Sequence, residues 1–483
     1  MIRRGSGAPF APFVEGRDGD ETTKRYIFLL NICTKNARIN KECCFSGEMV
    51  LIQFSVENFG SIRERQTLSM TASRYFRDLE ETNTFDAGLG DDFPRLLRTA
   101  VIYGPNAAGK TTVIQAMNFV ETFVMDSAKD AQANDEVSVE PFRLAASTRD
   151  MPSEFEIAVI EDGVRYQFGF AATKERVVEE WLFAYPNGHM QKWYHRVFDS
   201  STGAYAYKFS PSFIGGRKRA DWKAQTRDNA LFLSTAILLN NEQLKPVFNW
   251  FQKRVATLGR AELFATSGYT SRMCVQDPEK RKRVVSFLNL ADLGVEDLTV
   301  SPRSFTPDTL PMDLPASVRE DIVKNMKDRT FHDVTYLHRE PESGELVGLA
   351  QELESDGTRG LYAFAGPWID VLDNSRVLFV DELDTSLHPL IVHQLVRSLN
   401  RVGTKAQLIF TTHDTSILSQ RILRRDQIWF VDKGPSKATK LYSLGDFSVR
   451  EQEAVEKGYL TGRYGAIPFL KDLELHGQRQ SVP

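Results

Sequence analysis

The strongest chemical pattern in the sequence is a glycine-rich segment, residues 104–112, called the glycine loop below. It fits the spacing G-x-x-x-x-G-K-[ST], and it lies between a predicted strand and a predicted helix, the context in which this spacing binds phosphate. Glycines let consecutive backbone N–H groups face an anion, and the helix N-terminus adds partial positive charge. We expect Lys110 to pair with the phosphates and the Thr111 hydroxyl to bind Mg²⁺. The predicted phosphate-binding residues are Gly104, Pro105, Asn106, Ala107, Ala108, Gly109, Lys110, Thr111 and Thr112.

Two adjacent carboxylates, called the acidic pair below, are the second group suited to chemistry. Asp381 and Glu382 follow the apolar run of residues 377–380, and α/β proteins bind ligands at the carboxyl ends of such strands. We expect Asp381 to orient the Mg²⁺ shell and Glu382 to accept a proton from an attacking water. An acidic pair after a strand is often only a solvated turn, but the upstream glycine loop favours the catalytic interpretation.

Two further segments carry polar groups near the ends of predicted elements. Ser355 and Gly357 precede a predicted helix, so a hydroxyl and backbone N–H groups are available there for phosphate. An ordinary helix cap is the alternative at this position. Gly366-Pro367 falls inside the same helix, and the proline is expected to kink or interrupt it. His413 follows an apolar strand, where a histidine without neighbouring motifs is more often structural.

The spacing of apolar residues indicates which elements position these groups. Strand-like and helical runs alternate in both halves of the chain, which predicts an α/β core. A hairpin pattern around Asp162-Gly163 adds an antiparallel β subdomain. In the middle of the chain, apolar residues recur three and four positions apart, which predicts a mostly helical insertion. The predicted division is an extension of residues 1–48, an N-terminal core half of residues 49–225, the insertion of residues 226–340 and a C-terminal core half of residues 341–483.

Residues 1–48 differ in composition from the rest of the chain. They are rich in glycine, proline, arginine and aspartate, lack sustained apolar periodicity and contain three of the four cysteines. The first interpretable strand begins at Val50. We therefore expect residues 1–48 to be a disordered or non-native start that is dispensable, and Met49 to be the functional start.

The bulk composition narrows the class of protein. With 483 residues, 42% apolar and 26% charged, the chain has the composition of a globular protein with a large core. A net charge of -4 gives no global preference for nucleic acid, although basic runs at residues 216–219, 280–283 and 421–425 leave local contact open. No apolar run approaches the roughly 20 residues of a membrane helix, and the N-terminus lacks a secretory pattern. The cysteines lack zinc spacing. We expect a cytoplasmic protein without membrane contact.

Together the motifs resemble the ABC-type ATPases of the SMC, RecF and OLD-like branch. In that branch a segment like residues 383–389 is the D-loop after the Walker B strand, and His413 matches the switch histidine that senses the γ-phosphate. Residues 355–357 take the place of the signature motif, although they depart from its common Leu-Ser-Gly-Gly-Gln form. More narrowly, the chain resembles the AAA ATPase subunits of bacterial abortive-infection and phage-defence pairs, of the kind called RloA or AbiL and related to the ATPase half of OLD nucleases. Residues 226–234 and 458–470 also look like sequence of this family.

The resemblance implies an ABC-type P-loop NTPase fold and ATP hydrolysis, with ATP and Mg²⁺ as the bound cofactors. It assigns catalysis to Glu382, His413 and Lys110. It also implies a homodimer or higher homo-oligomer in which Ser355 and Gly357 contact ATP held by the other subunit. OLD nucleases continue into a TOPRIM domain, and we expect no such domain in the residues that follow His413. We therefore expect no nuclease activity here, and an anti-phage defence ATPase that acts as sensor or regulator of a separate TOPRIM-like nuclease effector.

Two other functions stay open at this point. A RecF-like or SMC-like repair ATPase would bind DNA directly, and a transporter subunit would couple ATP to membrane helices. The helical insertion and the run Ser386-Leu387-His388-Pro389 favour the SMC-like branch over a transporter. The sequence identifies neither the trigger nor the target of an effector, and it does not place a Q-loop glutamine.

Overall fold

The computed structural model describes residues 49–259, 262, 265–304, 319–320, 323–324, 330–385, 387–400, 403–448 and 454–467. The predicted extension, residues 1–48, lies outside the described residues. So do Ser386 of the predicted D-loop and the last three residues of the segment 458–470. Within the part that is described, no helix is both long and apolar enough to cross a membrane.

The described residues form four sheets and a set of mostly short helices. The strands are β1 (Met49–Glu57), β2 (Gln66–Ser69), β3 (Thr84–Phe85), β4 (Leu96–Leu97), β5 (Thr99–Tyr103), β6 (Ser153–Glu161), β7 (Val164–Ala172), β8 (Val177–Tyr185), β9 (Gln191–Asp199), β10 (Ala204–Phe209), β11 (Val255–Leu258), β12 (Val295–Ser304), β13 (Thr330–Arg339), β14 (Leu346–Ala350), β15 (Val377–Val380), β16 (Gln407–Thr411), β17 (Ile428–Lys433) and β18 (Thr439–Ser443). The α-helices are α1 (Glu80–Asn83), α2 (Lys110–Asp126), α3 (Lys218–Gln225), α4 (Phe232–Leu238), α5 (Lys245–Lys253), α6 (Ser267–Gln276), α7 (Pro278–Leu288), α8 (Asp356–Asn374), α9 (Pro389–Leu399), α10 (Ser416–Ser419) and α11 (Val455–Leu460).

The central sheet has six strands in the order β11-β15-β16-β5-β17-β18. Neighbouring strands are parallel except for the antiparallel pair β17 and β18. Every residue of β5, β15 and β16 is buried, as expected for a parallel sheet that is covered on both faces. Because these three strands are parallel neighbours, the segments that follow them meet at one edge of the sheet. Those segments are the glycine loop, the acidic pair and the loop that contains His413.

The second large sheet has seven antiparallel strands in the order β10-β9-β8-β7-β6-β1-β2, and it packs on α2. Between ring centroids, Phe119 of α2 lies 5.0 Å from Phe155 of β6, and Phe123 of α2 lies 5.3 Å from Phe170 of β7. The same apolar core includes Ile102 of β5. The helix that follows the glycine loop is therefore held by both sheets, and the predicted α/β class with an antiparallel subdomain is confirmed.

Residues 226–340, predicted as a mostly helical insertion, contain helices α4 to α7 and also strands β11, β12 and β13. β11 lies in the central sheet beside β15, whereas β12 and β13 form a separate sheet with β14. With four residues, β11 is too short to show a period of two, and its partner strand is distant in the chain. The apolar spacing therefore predicted the helices but not the strand that joins this range to the core.

Helix α8 continues through Pro367 without a break, so the predicted interruption at Gly366-Pro367 does not occur. Pro367 cannot donate to the carbonyl of Ala363, four residues earlier. The hydroxyls of Thr266 and Thr270 donate to that carbonyl instead, at 2.7 and 3.1 Å. Gly366 permits this close approach, since a Cβ there would lie 2.4 Å from Thr270 Oγ1. A neighbouring segment thus supplies the donors that the proline lacks.

Thr270→Val should lower the free energy of unfolding by about 1–3 kcal/mol, because the valine keeps the shape but leaves buried polar backbone groups with fewer partners. Chemical denaturation of the variant measures the effect. Thr270→Ser retains the hydroxyl and is the matched control, which should lose less stability. A valine variant as stable as the wild type would contradict this account of α8.

A buried carboxylate lies at the end of β6. Glu161 is 1% exposed, and no hydrogen-bond partner for its Oε2 is found among the described residues. Burial raises the pKa of Glu161 to about 8, with a further rise from Asp162, while Arg254 and Lys253 oppose the rise. Because the folded pKa lies above the ordinary value of 4.5, the protonated carboxyl favours folding. This stabilisation is complete below the ordinary pKa and is lost as the pH rises through the folded pKa.

Glu161→Gln should therefore raise the thermal unfolding midpoint at pH 9 and change it little at pH 5. The amide keeps the shape of the side chain but cannot ionise, which should add more than about 1 kcal/mol to stability above the folded pKa. Thermal unfolding of both proteins at the two pH values measures the difference. Glu136→Gln, at an exposed glutamate that does not act on Glu161, is the control. Equal midpoints of the Glu161 variant and the wild type at pH 9 would contradict the prediction.

Candidate nucleotide-binding site

The glycine loop connects β5 to α2, which begins at Lys110. Gly109 has a φ of +113°, a left-handed conformation that favours glycine. A Cβ at Gly109 would lie 2.2 Å from Thr439 Oγ1, and a Cβ at Gly104 would lie 2.4 Å from the carbonyl oxygen of Val431. Close packing against β17 and β18 therefore requires both glycines. The other predicted phosphate-binding residues differ in exposure. The side chains of Asn106, Ala107 and Thr111 are exposed, and those of Pro105 and Thr112 are half-buried. Ala108 and Lys110 are buried.

Three hydroxyls join the glycine loop to both large sheets. Ser61 Oγ lies 2.8 Å from Thr112 Oγ1 and 2.7 Å from Thr439 Oγ1. Thr439 Oγ1 also lies 2.7 Å from the carbonyl oxygen of Ala108. Ser61 follows β1 and Thr439 begins β18, so the loop is held from two sides. Ser61 and Thr439 lie 378 positions apart, so no local pattern in the sequence indicates their contact or predicts either residue as part of the site.

The side chain of Lys110, the first residue of α2, folds back onto the start of the glycine loop. This side chain is buried, and Nζ donates to the carbonyl oxygens of Gly104 and Pro105 at 2.8 and 3.4 Å. Burial lowers the pKa of Lys110, while the nearby carboxylates of Glu382 and Asp381 act in the opposite direction. The ammonium is therefore held by the backbone of the glycine loop, close enough to the acidic pair for the two carboxylates to act on it electrostatically.

Thr411, the last residue of β16, orients the acidic pair. Its hydroxyl donates to Asp381 Oδ1 at 2.7 Å, and it accepts the backbone N–H of Glu382 at 2.7 Å. Glu382 has a φ of +51°, which is uncommon for a residue with a side chain. Thr385 Oγ1 donates to Glu382 Oε2 at 3.0 Å. No local pattern predicts this role of Thr411, because it depends on β16 lying next to β15.

His413 lies beside the acidic pair at the same edge. Its backbone N–H donates to Asp384 Oδ2 at 3.2 Å, while its side chain is exposed. The hydroxyl of Tyr103, the residue before the glycine loop, donates to the carbonyl of Asp414 at 2.9 Å. The segment that contains His413 is thus bonded to the residues after β15 and to the end of β5.

The predicted signature residues lie at the start of α8. Ser355 caps the helix, since its Oγ accepts the backbone N–H of Thr358 at 3.1 Å, and Gly357 lies in the first turn. In the part of the chain that the structure describes, no hydrogen bond joins Ser355 or Gly357 to the glycine loop or to the acidic pair. One chain therefore brings together Lys110, the acidic pair and His413, but not the signature residues.

Residues 226–234 hold the far end of α2. Arg227 Nη2 donates to the carbonyl oxygen of Ser127 at 3.0 Å, just after the helix ends. Ser234 Oγ donates to the carbonyl oxygen of Val124, in the last turn, at 2.6 Å. These donors satisfy carbonyls that lack partners at a helix C-terminus. The segment thus has a structural role in the helix that begins at Lys110.

Residues 458–467 pack against the central sheet close to the glycine loop. The rings of Tyr459 and Tyr464 stack on Phe430 of β17, with centroids 5.4 and 5.7 Å apart. Tyr459 also lies 5.6 Å from the ring of Tyr103, which directly precedes the loop. The contacts of this segment are therefore those of core packing behind the site.

The basic runs contain residues that are already paired with carboxylates. Arg424 is fully buried, and its Nε and Nη2 donate to the two oxygens of Asp426 at 3.0 and 2.8 Å. Arg283 Nη1 donates to Asp373 Oδ2 at 2.8 Å. Arginines paired in this way contribute less positive field to a nucleic-acid surface than their number suggests.

Solved structures that are similar to the chain at low identity include three SMC heads. The SMC head domain from Thermotoga maritima is 13% identical with a TM-score of 0.35, and the match covers 81% of this chain and 98% of that one. The SmcHead bound to the C-winged helix domain of ScpA is 12% identical with a TM-score of 0.37, covering 84% and 99%. The Smc head domain with an extended coiled coil bound to the C-terminal domain of ScpA, derived from Pyrococcus furiosus, is 13% identical with a TM-score of 0.38, covering 86% and 99%.

Comparison with curated proteins gives no match. A family model described as "AAA domain, putative AbiEii toxin, Type IV TA system" matches residues 100–203 and 277–419, slightly more than half of the chain. The matched ranges contain the glycine loop, the acidic pair and His413. The chain therefore belongs to this family of AAA-domain proteins.

Proposed function

We propose that this chain binds and hydrolyses ATP at the edge of the central sheet. The observation that carries the proposal is that β5, β15 and β16 end at the same edge and are followed by Lys110, the acidic pair and His413. A lysine in a glycine loop together with carboxylates after another strand of the same parallel sheet is the arrangement that positions a nucleotide and a water for phosphoryl transfer. Membership of the AAA-domain family supports the same activity.

Each residue has a distinct part in the proposed reaction. The ammonium of Lys110 leaves the carbonyls of the loop to neutralise phosphate charge, and Glu382 accepts the proton of the attacking water. The Thr111 hydroxyl and the Asp381 carboxylate are oxygen ligands of the kind that Mg²⁺ prefers, and Thr411 already orients Asp381. Bound Mg²⁺ supplies positive charge near the phosphates. His413 senses the γ-phosphate.

The complete site is proposed to need two copies of the chain. Ser355 and Gly357 lie at the N-terminus of a long helix, where backbone N–H groups favour an anion, yet they make no hydrogen bond to the described loop or acidic pair of their own chain. A second copy can bring these residues to the nucleotide. We therefore propose a homodimer, or a higher homo-oligomer, that ATP stabilises.

The biological role proposed for this ATPase is regulation in a bacterial anti-phage defence pair, in which a separate nuclease-like protein is the effector. The motifs resemble the RloA and AbiL subunits of such pairs, and the family description names a toxin–antitoxin system. A repair ATPase that binds DNA directly is the alternative, but the paired arginines in the basic runs give it no particular support.

Purified protein should hydrolyse ATP in the presence of Mg²⁺ and should leave plasmid DNA and tRNA intact with Mg²⁺ or Mn²⁺. Phosphate release and gel electrophoresis measure the two activities, and the Glu382→Gln variant controls for contaminating ATPase. Tight binding to DNA with stimulation of ATP turnover would favour the repair alternative. Cleavage that copurifies with the chain would overturn the assignment of the nuclease to another protein.

A further inference from the structure

His393, on α9, is a buried histidine that the proposed reaction does not use. It is 5% exposed, and its Nε2 lies 3.0 Å from Ser416 Oγ and 3.8 Å from Asp414 Oδ2. Ser416 and Asp414 belong to the segment that follows β16. The histidine therefore contacts the residue directly after His413 from a different element of the fold.

The hydrogen bonds in this cluster have a definite direction. The backbone N–H and the hydroxyl of Ser416 both donate to Asp414 Oδ1, at 2.9 and 2.6 Å. Since the hydroxyl proton is used in this way, Ser416 Oγ accepts from His393, whose Nε2 carries a proton. Asp414 Oδ2 is buried and has no hydrogen-bond partner among the described residues. The N–H of His393 Nε2, 3.8 Å away, is close enough to interact with it electrostatically.

The cluster links two parts of the proposed nucleotide site. Helix α9 begins at Pro389, shortly after Asp384, whose carboxylate accepts the backbone N–H of His413. On the other side, the carbonyl of Asp414 accepts the hydroxyl of Tyr103 at the end of β5. The position of His413 is thus set by Asp384, by the end of β5 and by α9 through His393.

We propose that His393 is a positioning residue for His413, because it ties the segment that follows β16 to helix α9. This inference rests on the proposed function. His393 does not touch the nucleotide in this proposal; it acts through Ser416 and Asp414.

A purely structural histidine would behave differently from a positioning one. If His393 only fills the core, its loss lowers stability and reduces the amount of active protein. If it positions His413, its loss lowers the ATP turnover number of the folded protein, while KM for ATP changes little because the glycine loop is untouched. A glutamine, whose amide can donate from a similar place, should restore part of the turnover.

The test compares steady-state ATP hydrolysis by full-length wild type, His393→Ala, His393→Gln and Ser416→Ala, with protein concentration corrected by the folded fraction from thermal unfolding. We expect turnover to fall on the order of tenfold in His393→Ala and in Ser416→Ala. KM should stay within about twofold, and His393→Gln should recover at least about half of the wild-type turnover. His195→Ala is the control, since it removes another histidine that is partly buried and hydrogen-bonded, with Nε2 2.6 Å from Glu179 Oε1, but that lies on β9.

Wild-type turnover in folded His393→Ala and Ser416→Ala would overturn the positioning role and leave the proposed ATPase function intact. Equal losses in His393→Ala and His195→Ala would reduce the effect to general destabilisation and would also overturn it. If His393→Ala does not fold, the turnover of Ser416→Ala tests the positioning role, because that variant loses only a hydroxyl. Absence of ATP hydrolysis by the wild type would overturn the proposed function itself, and the positioning role with it.

Discussion

Glu382→Gln should lower the ATP turnover number by about 10²–10⁴-fold and leave ATP affinity close to that of the wild type. The amide keeps the size of the side chain but cannot accept the proton of the attacking water. Its backbone N–H still donates to Thr411, and Asp381 keeps its own bond to the Thr411 hydroxyl. The change therefore removes the base without disturbing the groups proposed to hold the nucleotide and the metal.

Persistent ATP in this variant should also hold two copies of the chain together. Light scattering after size exclusion should give a larger mass with ATP than with ADP or without nucleotide. Glu179→Gln, at a carboxylate on β8 far from the site, is the control and should keep wild-type turnover. The same mass in all three nucleotide states would mean that ATP does not control assembly. Undiminished hydrolysis would remove Glu382 from catalysis altogether.

Lys110→Ala should weaken ATP binding by about 10- to 100-fold and abolish measurable turnover, because the hydrogen bonds of a charged group to the phosphates are lost. The ammonium is buried within the loop and already bonded to Gly104, so no exposed lysine can take its place. Titration with a fluorescent ATP analogue measures affinity, and phosphate release measures turnover.

Two further variants separate charge from packing in this prediction. Lys110→Met keeps most of the aliphatic stem without the ammonium, and it should bind ATP as weakly as Lys110→Ala. Lys129→Ala, at an exposed lysine shortly after α2 that pairs with Asp130, should bind and hydrolyse ATP normally. Wild-type affinity and turnover in either Lys110 variant would place the phosphates elsewhere.

The sequence by itself determined the glycine loop, the acidic pair and the order in which they occur. These groups are local patterns: the spacing of residues 104–112 and the run of apolar residues before Asp381 are visible without any knowledge of distant contacts. The α/β class followed from the same local alternation of apolar spacing. The interruption predicted at Pro367 failed because the hydroxyls that satisfy Ala363 belong to another segment, which no pattern inside α8 reveals.

Only the tertiary structure decided which residues support these motifs. Thr411 orients the acidic pair because β16 lies beside β15, and Ser61 meets Thr439 because two sheets enclose the same loop. The contact of His393 with Ser416 likewise requires α9 to pack on the segment after β16. Serine, threonine and histidine are common residues with many roles, so their presence in the sequence says little about their function. The function becomes apparent when the fold places them within about 3 Å of a partner. Strand pairing and helix packing between segments that are distant in the chain create that proximity, and a local pattern cannot encode it.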